Sequence, residues 1–324
     1  MALASDAQST YGVTTIREDI HEGFTSLSPT ETPFVTMAGS RNIKDTYHEW
    51  VTVDLAAVDT SNRVLEGEGA PANDAPTNGI RLGNFAQISD KVVEVSRTTE
   101  AVSGGVADLE KMAKQITFKM KELKRDMAQM LVTNVAANPG GTDTARVAAG
   151  LPTFLTTNVS RGATATPPTL SGTTTGYPNA AVGDGDNRNL TEAMLNTVIA
   201  SCWDNGAEPT NVLCGSVVKQ GISGTFTGSA TRYKEVGDKK LSRAIDIYVS
   251  DFGELSIVPN RFQNAQDVFI VDPGYVKIGW LDKVKQKPLA ETGHSERRLI
   301  WGEYTLIVDN EAAHGYISDI TGVA

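Results

Sequence analysis

The sequence predicts an α+β fold built on one long helix and a largely antiparallel sheet, and three observations carry that prediction. Apolar residues recur in steps of three and four from 106 to 135. Five strand-like runs, divided mostly by turn signals, crowd the chain after residue 244. Between two earlier strand patterns lies a stretch, residues 59–85, rich in Gly, Pro, Asn and acids and far longer than a hairpin turn.

At 324 residues, 40% hydrophobic and 21% charged, the chain holds enough apolar material for one two-lobed unit or two domains. The same composition excludes disordered, collagen-like and disulfide-scaffold proteins. A formal charge of -10 makes the surface as a whole repel nucleic acid and anionic membrane. Cys202 and Cys214 lack CxxC spacing and a nearby histidine pair, so they are expected as small buried apolar residues rather than a disulfide or metal site. Residues 1–10 have neither a basic start nor a signal-length apolar run, and no stretch approaches the ~20 apolar residues of a spanning helix, so a cytoplasmic protein without a membrane partner is expected. The acceptor-like triplets Asn158-Val159-Ser160 and Asn189-Leu190-Thr191 are too common by chance to carry weight.

Taken in order, residues 1–44 hold too few apolar side chains to fold alone and read as an N-terminal arm, with short helical stretches around 14–20 and a break at Ser28-Pro29. Residues 46–55 follow as a strand with Tyr47, Val51, Val53 and Leu55 on one face at period two. Its expected partner is 87–97, where Val93 and Val95 alternate with charged residues. The connection between them centres on Glu66-Gly67-Glu68-Gly69-Ala70-Pro71. Two strands cannot bury both of their faces, so a neighbouring subunit or another surface is expected to cover this projecting arm.

Val106, Leu109, Ala113, Ile116, Met120, Leu123, Met127 and Met130 form a helical stripe over 106–135, a helix of roughly 45 Å. Ser103-Gly104-Gly105 precedes it, Asp108 and Glu110 suit the positive end of its dipole, and Asn138-Pro139-Gly140-Gly141 stops it. A heptad also fits, but its a and d positions mix Met, Ala and Ile and no second heptad segment exists. A helix lying across a sheet of its own subunit is therefore preferred to a coiled coil. Its basic run, Lys119, Lys121, Lys124 and Arg125, is a solvated face or a weak contact with nucleic acid.

Residues 156–189 are nearly all Thr, Gly, Ala, Pro, Asn and Asp, which predicts a surface excursion or partly disordered insert unable to build a core. A second helix is expected from Asn189 as N-cap, with Glu192 three positions on and Leu190, Met194, Leu195, Val198, Ile199 and Cys202 in a stripe, ending near Asn205-Gly206. A strand over 211–214 and a helical turn over 216–220 come next. The strands that follow are 245–250, 255–258, 268–271, 276–281 and 299–308.

Sites of chemistry are not indicated. His21, His48, His294 and His314 are scattered without HExxH or HxH spacing, and no GxSxG elbow, P-loop or dinucleotide fingerprint is present. Asp184-Gly185-Asp186-Asn187-Arg188 begins like a calcium loop, but Asn189 stands where glycine is needed and Leu195 where the bidentate glutamate belongs. No catalytic residue, cofactor or metal is expected.

Several short motifs occur in a telling order. Thr32-Pro33-Phe34 ends the arm; His48-Glu49-Trp50 and Asp54 open the extended loop; Asn62, Glu66-Gly67, Asn84, Gln87 and residues 91–96 continue it. Glu303-Tyr304-Thr305-Leu306 and the run from Asn310 to Ile317 close the chain. With the long helix between them, these resemble the major capsid proteins of tailed bacteriophages, the Hong Kong ninety-seven type fold. The resemblance covers most of the chain. It implies an N-terminal arm (1–44), an extended two-stranded loop (45–100), a spine helix with part of a peripheral domain (101–155), the Thr/Gly-rich insert (156–189), and an axial domain whose strands return to the peripheral domain (190–324). The long charged helical extension that serves some relatives as a built-in scaffold is missing, and no lysine–asparagine crosslinking pair can be matched.

What the resemblance implies for function is a non-enzymatic head-shell subunit that encloses double-stranded DNA and is found in the virion after assembly in the host cytoplasm. Implied partners are copies of itself as pentamers and hexamers, a portal, scaffolding and decoration proteins, and weak non-specific contact with packaged DNA. Expected intersubunit contacts are Thr32, Pro33, Phe34, Tyr47, Trp50, Glu66 and Arg81, each of which also has a plain reading as intrasubunit core or solvated loop. A bacterial nanocompartment shell of the same fold, or a carbohydrate-binding or hydrolytic surface protein, remain as alternatives.

Overall fold

A computed structural model describes residues 28–67, 69, 76–102, 109–226, 246–291 and 293–323. The helical stretch expected around 14–20, the Ser103-Gly104-Gly105 entry and the Val106 and Asp108 positions lie outside these residues. The chain begins with a short helix α1 (Pro33–Met37), whose proline sits in the first turn where a missing N–H costs nothing. Strands β1 (Gly39–Asn42) and β2 (Tyr47–Thr52) follow, and after the long connection come β3 (Ile80–Phe85), β4 (Gln87–Ser96) and a five-residue helix α2 (Arg97–Ala101).

The partner of β2 is β3, antiparallel from Tyr47 opposite Phe85 to Thr52 opposite Ile80. This corrects the expected pairing with 87–97. Ala86 marks the corner, its N–H donating to the Thr46 carbonyl at 2.7 Å. Beyond the corner, β4 turns Val93 and Val95 inward and leaves for a different sheet.

The spine helix α3 spans Met112–Val132, 21 residues or about 31 Å, shorter than expected. A carboxylate oxygen of Glu100 accepts from the Met112 N–H at 3.0 Å and satisfies one orphan donor of its first turn. The helix stops before the Asn138-Pro139 signal because lateral pairing takes over the chain. The Asn134 side chain donates to the Val182 carbonyl at 2.7 Å and accepts from its N–H at 2.9 Å. Gly150 N–H then donates to the Val135 carbonyl, and a Cβ on Gly150 would lie 1.8 Å from the Thr133 oxygen, so glycine is required there. Met112, Leu123, Met127, Ala128, Leu131 and Val132 form the buried face; Ala113 and Met120, from the expected stripe, are exposed.

Four short strands cross the Thr/Gly-rich region: β5 (Val159–Ser160), β6 (Thr169–Leu170), β7 (Pro178–Ala180) and β8 (Arg188–Leu190). Helix α4 (Glu192–Asp204), β9 (Asn211–Cys214) and α5 (Ser216–Thr225) lead to β10 (Ile247–Ser250), β11 (Gly253–Pro259), β12 (Val268–Val271), β13 (Val276–Pro288), β14 (Ser295–Val308), β15 (Gly315–Ile317) and β16 (Ile320–Val323). The cap of α4 is Thr191, whose hydroxyl accepts from Met194 N–H at 3.2 Å, not Asn189, which lies in β8.

Two mixed sheets organise the molecule. One has the order β1-β13-β14-β4, antiparallel except for β1 on β13, and α3 lies across its β4 and β14. The other runs β10-β11-β9-β12-β15-β5, with parallel pairs at β11–β9 and β15–β5. Strand alternation splits its side chains between two cores. Leu213, Phe269, Val271 and Tyr316 join the core under α3, while Val212, Cys214, Val268 and Ile270 face α4 and α5. Cys202 and Cys214 are both buried and unbridged, and burial pushes their thiols up to about 12 and about 11.

The expected surface insert, residues 156–189, is tied to the body instead. Its few apolar residues, Val159, Leu170, Tyr177 and Val182, pack on the main core, and polar groups add to the tying: one Asp319 carboxylate oxygen accepts from Gly162 N–H at 2.8 Å and the other from Gly185 N–H at 2.8 Å. Asp319 itself sits at φ 62, and burial acts to raise its carboxyl. The hydrogen bonds from Ser318, Gly162 and Gly185 and the charge of Arg188 outweigh burial and hold it below the ordinary value.

Candidate assembly interface

The base of the two-stranded ribbon is seated on its own subunit. Alternation along β2 sends His48, Trp50 and Thr52 inward opposite Asn84, Leu82 and Ile80. Trp50 is 7% exposed and lies 5.8 Å from the Phe154 ring, and the Thr52 hydroxyl donates to the Asp309 carbonyl at 2.9 Å. Asn84, fully buried, is the polar anchor. Its amide donates to the carbonyls of Ala149 (3.2 Å) and Leu306 (3.0 Å), and its oxygen accepts from the N–H groups of Ala149 (2.8 Å) and Phe85 (2.9 Å).

Past Thr52 the character changes. Every residue from 53 to 67 is exposed, including Val53, Leu55 (87%), Val58 (92%), Val64 and Leu65 (78%). Several exposed aliphatic side chains along one segment are uncommon on a lone soluble protein and make this segment the candidate for a partner contact. The start of this run stands off the body across a groove of about 1190 Å³, walled on the far side by Phe154, Leu170 and Glu311.

Of the residues expected as intersubunit contacts, Thr32 and Phe34 are buried on the inner side of α1, and Trp50 lies under the ribbon. Pro33 is half-buried beside them. Tyr47 packs on Phe85 at 4.7 Å and Tyr177 at 6.2 Å; burial, then the charge of Glu49, raises its hydroxyl. Glu66 and Arg81 point outward, Arg81 holding a 3.7 Å ion pair with Glu49 that is worth at most about 1 kcal/mol at this exposure. Thr32, Phe34, Trp50, Leu82 and Asn84 are thus buried on their own chain, whereas every residue from 53 to 67 is exposed. The anchoring role of Asn84 has no signature in the sequence, where 80–85 reads as part of a loop and Asn84 appears only among the motif residues of the extended loop.

The chain matches the model of the SU10 major capsid protein family over residues 6–321. It belongs to that family. The major capsid protein of Escherichia phage Phieco32 is 38% identical over 110 residues, 34% of this chain and 31% of that protein, so the match spans about a third of the relative's length. Among solved structures, the capsid of cyanophage A-1(L) aligns over 97% of this chain and 100% of its own with a TM-score of 0.66 at 13% identity. The capsid of a native GTA particle aligns over 100% of both chains at 0.58 and 14% identity. The SrpI encapsulin of Synechococcus elongatus PCC 7942 aligns over 98% of both chains at 0.57 and 10% identity. At these identities the likeness shows the fold, that of phage capsid subunits, and the family shows the role to be structural.

Proposed function

We propose that this capsid protein tiles with copies of itself, as pentamers and hexamers, into the icosahedral or prolate head shell of a tailed phage, and that residues 53–67 lap onto an adjacent copy. The observation that carries the reading is the exposure of Leu55, Val58 and Leu65 on a ribbon whose base is firmly anchored. An anchored base fixes direction, and the apolar tip supplies contact area of roughly 25 cal/mol per Å² covered. Many copies of one modest contact then add up to a strong shell. In this reading the shell encloses double-stranded DNA, forms in the host cytoplasm, and meets a portal and, where present, scaffolding and decoration proteins. The chain performs no catalysis. The family match favours a phage head over a nanocompartment of the same fold. Negative-stain microscopy of the expressed chain tests the proposal: shells or capsomer rings are expected from the natural sequence, and soluble, folded, unassembled subunits from Leu55→Asp/Val58→Asp/Leu65→Asp. Normal particles from the triple variant would overturn the role given to the loop.

A further inference from the structure

The face of α3 turned away from the sheets is uncovered among the described residues. Ala113, Thr117 and Met120 run along it in steps of four and three, all exposed, flanked by Lys114, Lys121 and Lys124. The acids of this helix are spent elsewhere: Glu122 pairs with Lys119 at 2.8 Å and Asp126 with Lys91 at 2.6 Å. None of the three flanking lysines forms an ion pair among the described residues. On a chain of net charge -10, this is a locally reversed surface with a shallow apolar centre, suited to an acidic amphipathic segment.

The sequence contains one such segment at the right place. Residues 1–27 carry Asp6, Glu18, Asp19 and Glu22 against the single Arg17. Val13, Ile16, Ile20 and Phe24 recur there in steps of three, four and four, with the carboxylates of 18, 19 and 22 between them. The chain enters the structure beside the lysines, because α1 packs on α3 and Thr30, Glu31 and Thr32 line one shallow hollow with Lys124. A five-residue connection from 25 to 29 reaches up to about 17 Å, and Lys114 to Lys124 spans about 15 Å along the helix.

We infer that residues 13–24 seat on this face of α3 in the same polypeptide, their apolar side toward Ala113 and Met120 and their carboxylates toward Lys114, Lys121 and Lys124. The test uses the full-length chain and two readouts. Cleavage at Arg17 by an arginine-specific protease is expected to be slow in the natural protein and about tenfold faster in Lys114→Glu/Lys121→Glu/Lys124→Glu. Adding Glu18→Lys/Asp19→Lys/Glu22→Lys to that variant is expected to restore slow cutting, which a merely misfolded variant would not do. Zero-length carbodiimide coupling of a mixture of ¹⁴N- and ¹⁵N-labelled chains is expected to join residues 18–22 to these lysines in isotopically unmixed pairs. Mixed pairs would place the segment on another copy, and absent pairs would leave the face empty; either overturns the inference. So would cutting at an equal rate in all three proteins while the lysine variant alone loses retention on DNA, which would assign the stripe to nucleic acid.

Discussion

At Asp267 a carboxyl is 3% exposed, with one oxygen taking the Tyr316 hydroxyl at 3.0 Å and the other left without a partner among the described residues. Burial, with the nearby charges of Asp319 and Asp184, pushes it up to about 7 despite the hydrogen bond from Tyr316. Because the folded value lies above the ordinary 3.8, protonation favours the fold: the contribution is fully present below 3.8 and is lost as pH rises through about 7. At about 1.4 kcal/mol per unit, full ionisation costs on the order of 4 kcal/mol. Asp267→Asn, which keeps an acceptor for Tyr316, is expected to raise the subunit's melting temperature at about pH 8.5 and to raise it by less than half as much at about pH 5. An equal effect at both pH values would show that Asp267 stays ionised in the fold. His314 has the opposite sign: burial lowers it to about 4, so its contribution is present above 6.5 and fades as pH falls through about 4. Neither group was visible in the sequence. A lone aspartate before the 268–271 strand and a scattered histidine acquire perturbed chemistry only when β12, β15 and the Gly162–Gly185 crossing close around them.

Among elements, the ribbon depends on Asn84 more than on its own pairing. Asn84→Ala leaves the Ala149 and Phe85 N–H groups and the Leu306 carbonyl without their partner, and a loss of about 3 kcal/mol is expected in urea unfolding of the dissociated subunit. A loss under about 1 kcal/mol would mean that the ribbon base is held by Trp50 and Leu82 packing instead. The elements themselves were largely legible. The strands over 211–214 and 268–271 and the second helix follow directly from period and turn chemistry. What misled were competing tertiary bonds. The pattern of α3 runs on past Val132, yet Asn134 is captured by Val182, and no local rule foresees a partner 48 residues away. The strand over 46–55 pairs with β3 rather than with 87–97 because β3 lies in a stretch whose composition resembles a loop. The expected period-two face of Tyr47, Val51, Val53 and Leu55 ends with the strand at Thr52: Tyr47 packs on Phe85, while Val51, Val53 and Leu55 are exposed.

For the whole molecule, the division of labour follows from where cover is found. The two sheets, α3 and the two main cores make a self-sufficient body, and the Thr/Gly-rich crossing is joined to it by Asp319 and Asn134 together with the apolar contacts of Val159, Leu170, Tyr177 and Val182. One long exposed run with five aliphatic side chains is left over. A closed shell presents an adjacent copy to this run at every position, which is the cover proposed for it. Cryo-electron microscopy of assembled particles tests this most directly. Leu55, Val58 and Leu65 are expected to be covered by an adjacent copy while Asn84 and Trp50 keep their own-chain contacts. Density that places residues 53–67 on their own body, or leaves them in solvent within a closed shell, would contradict it.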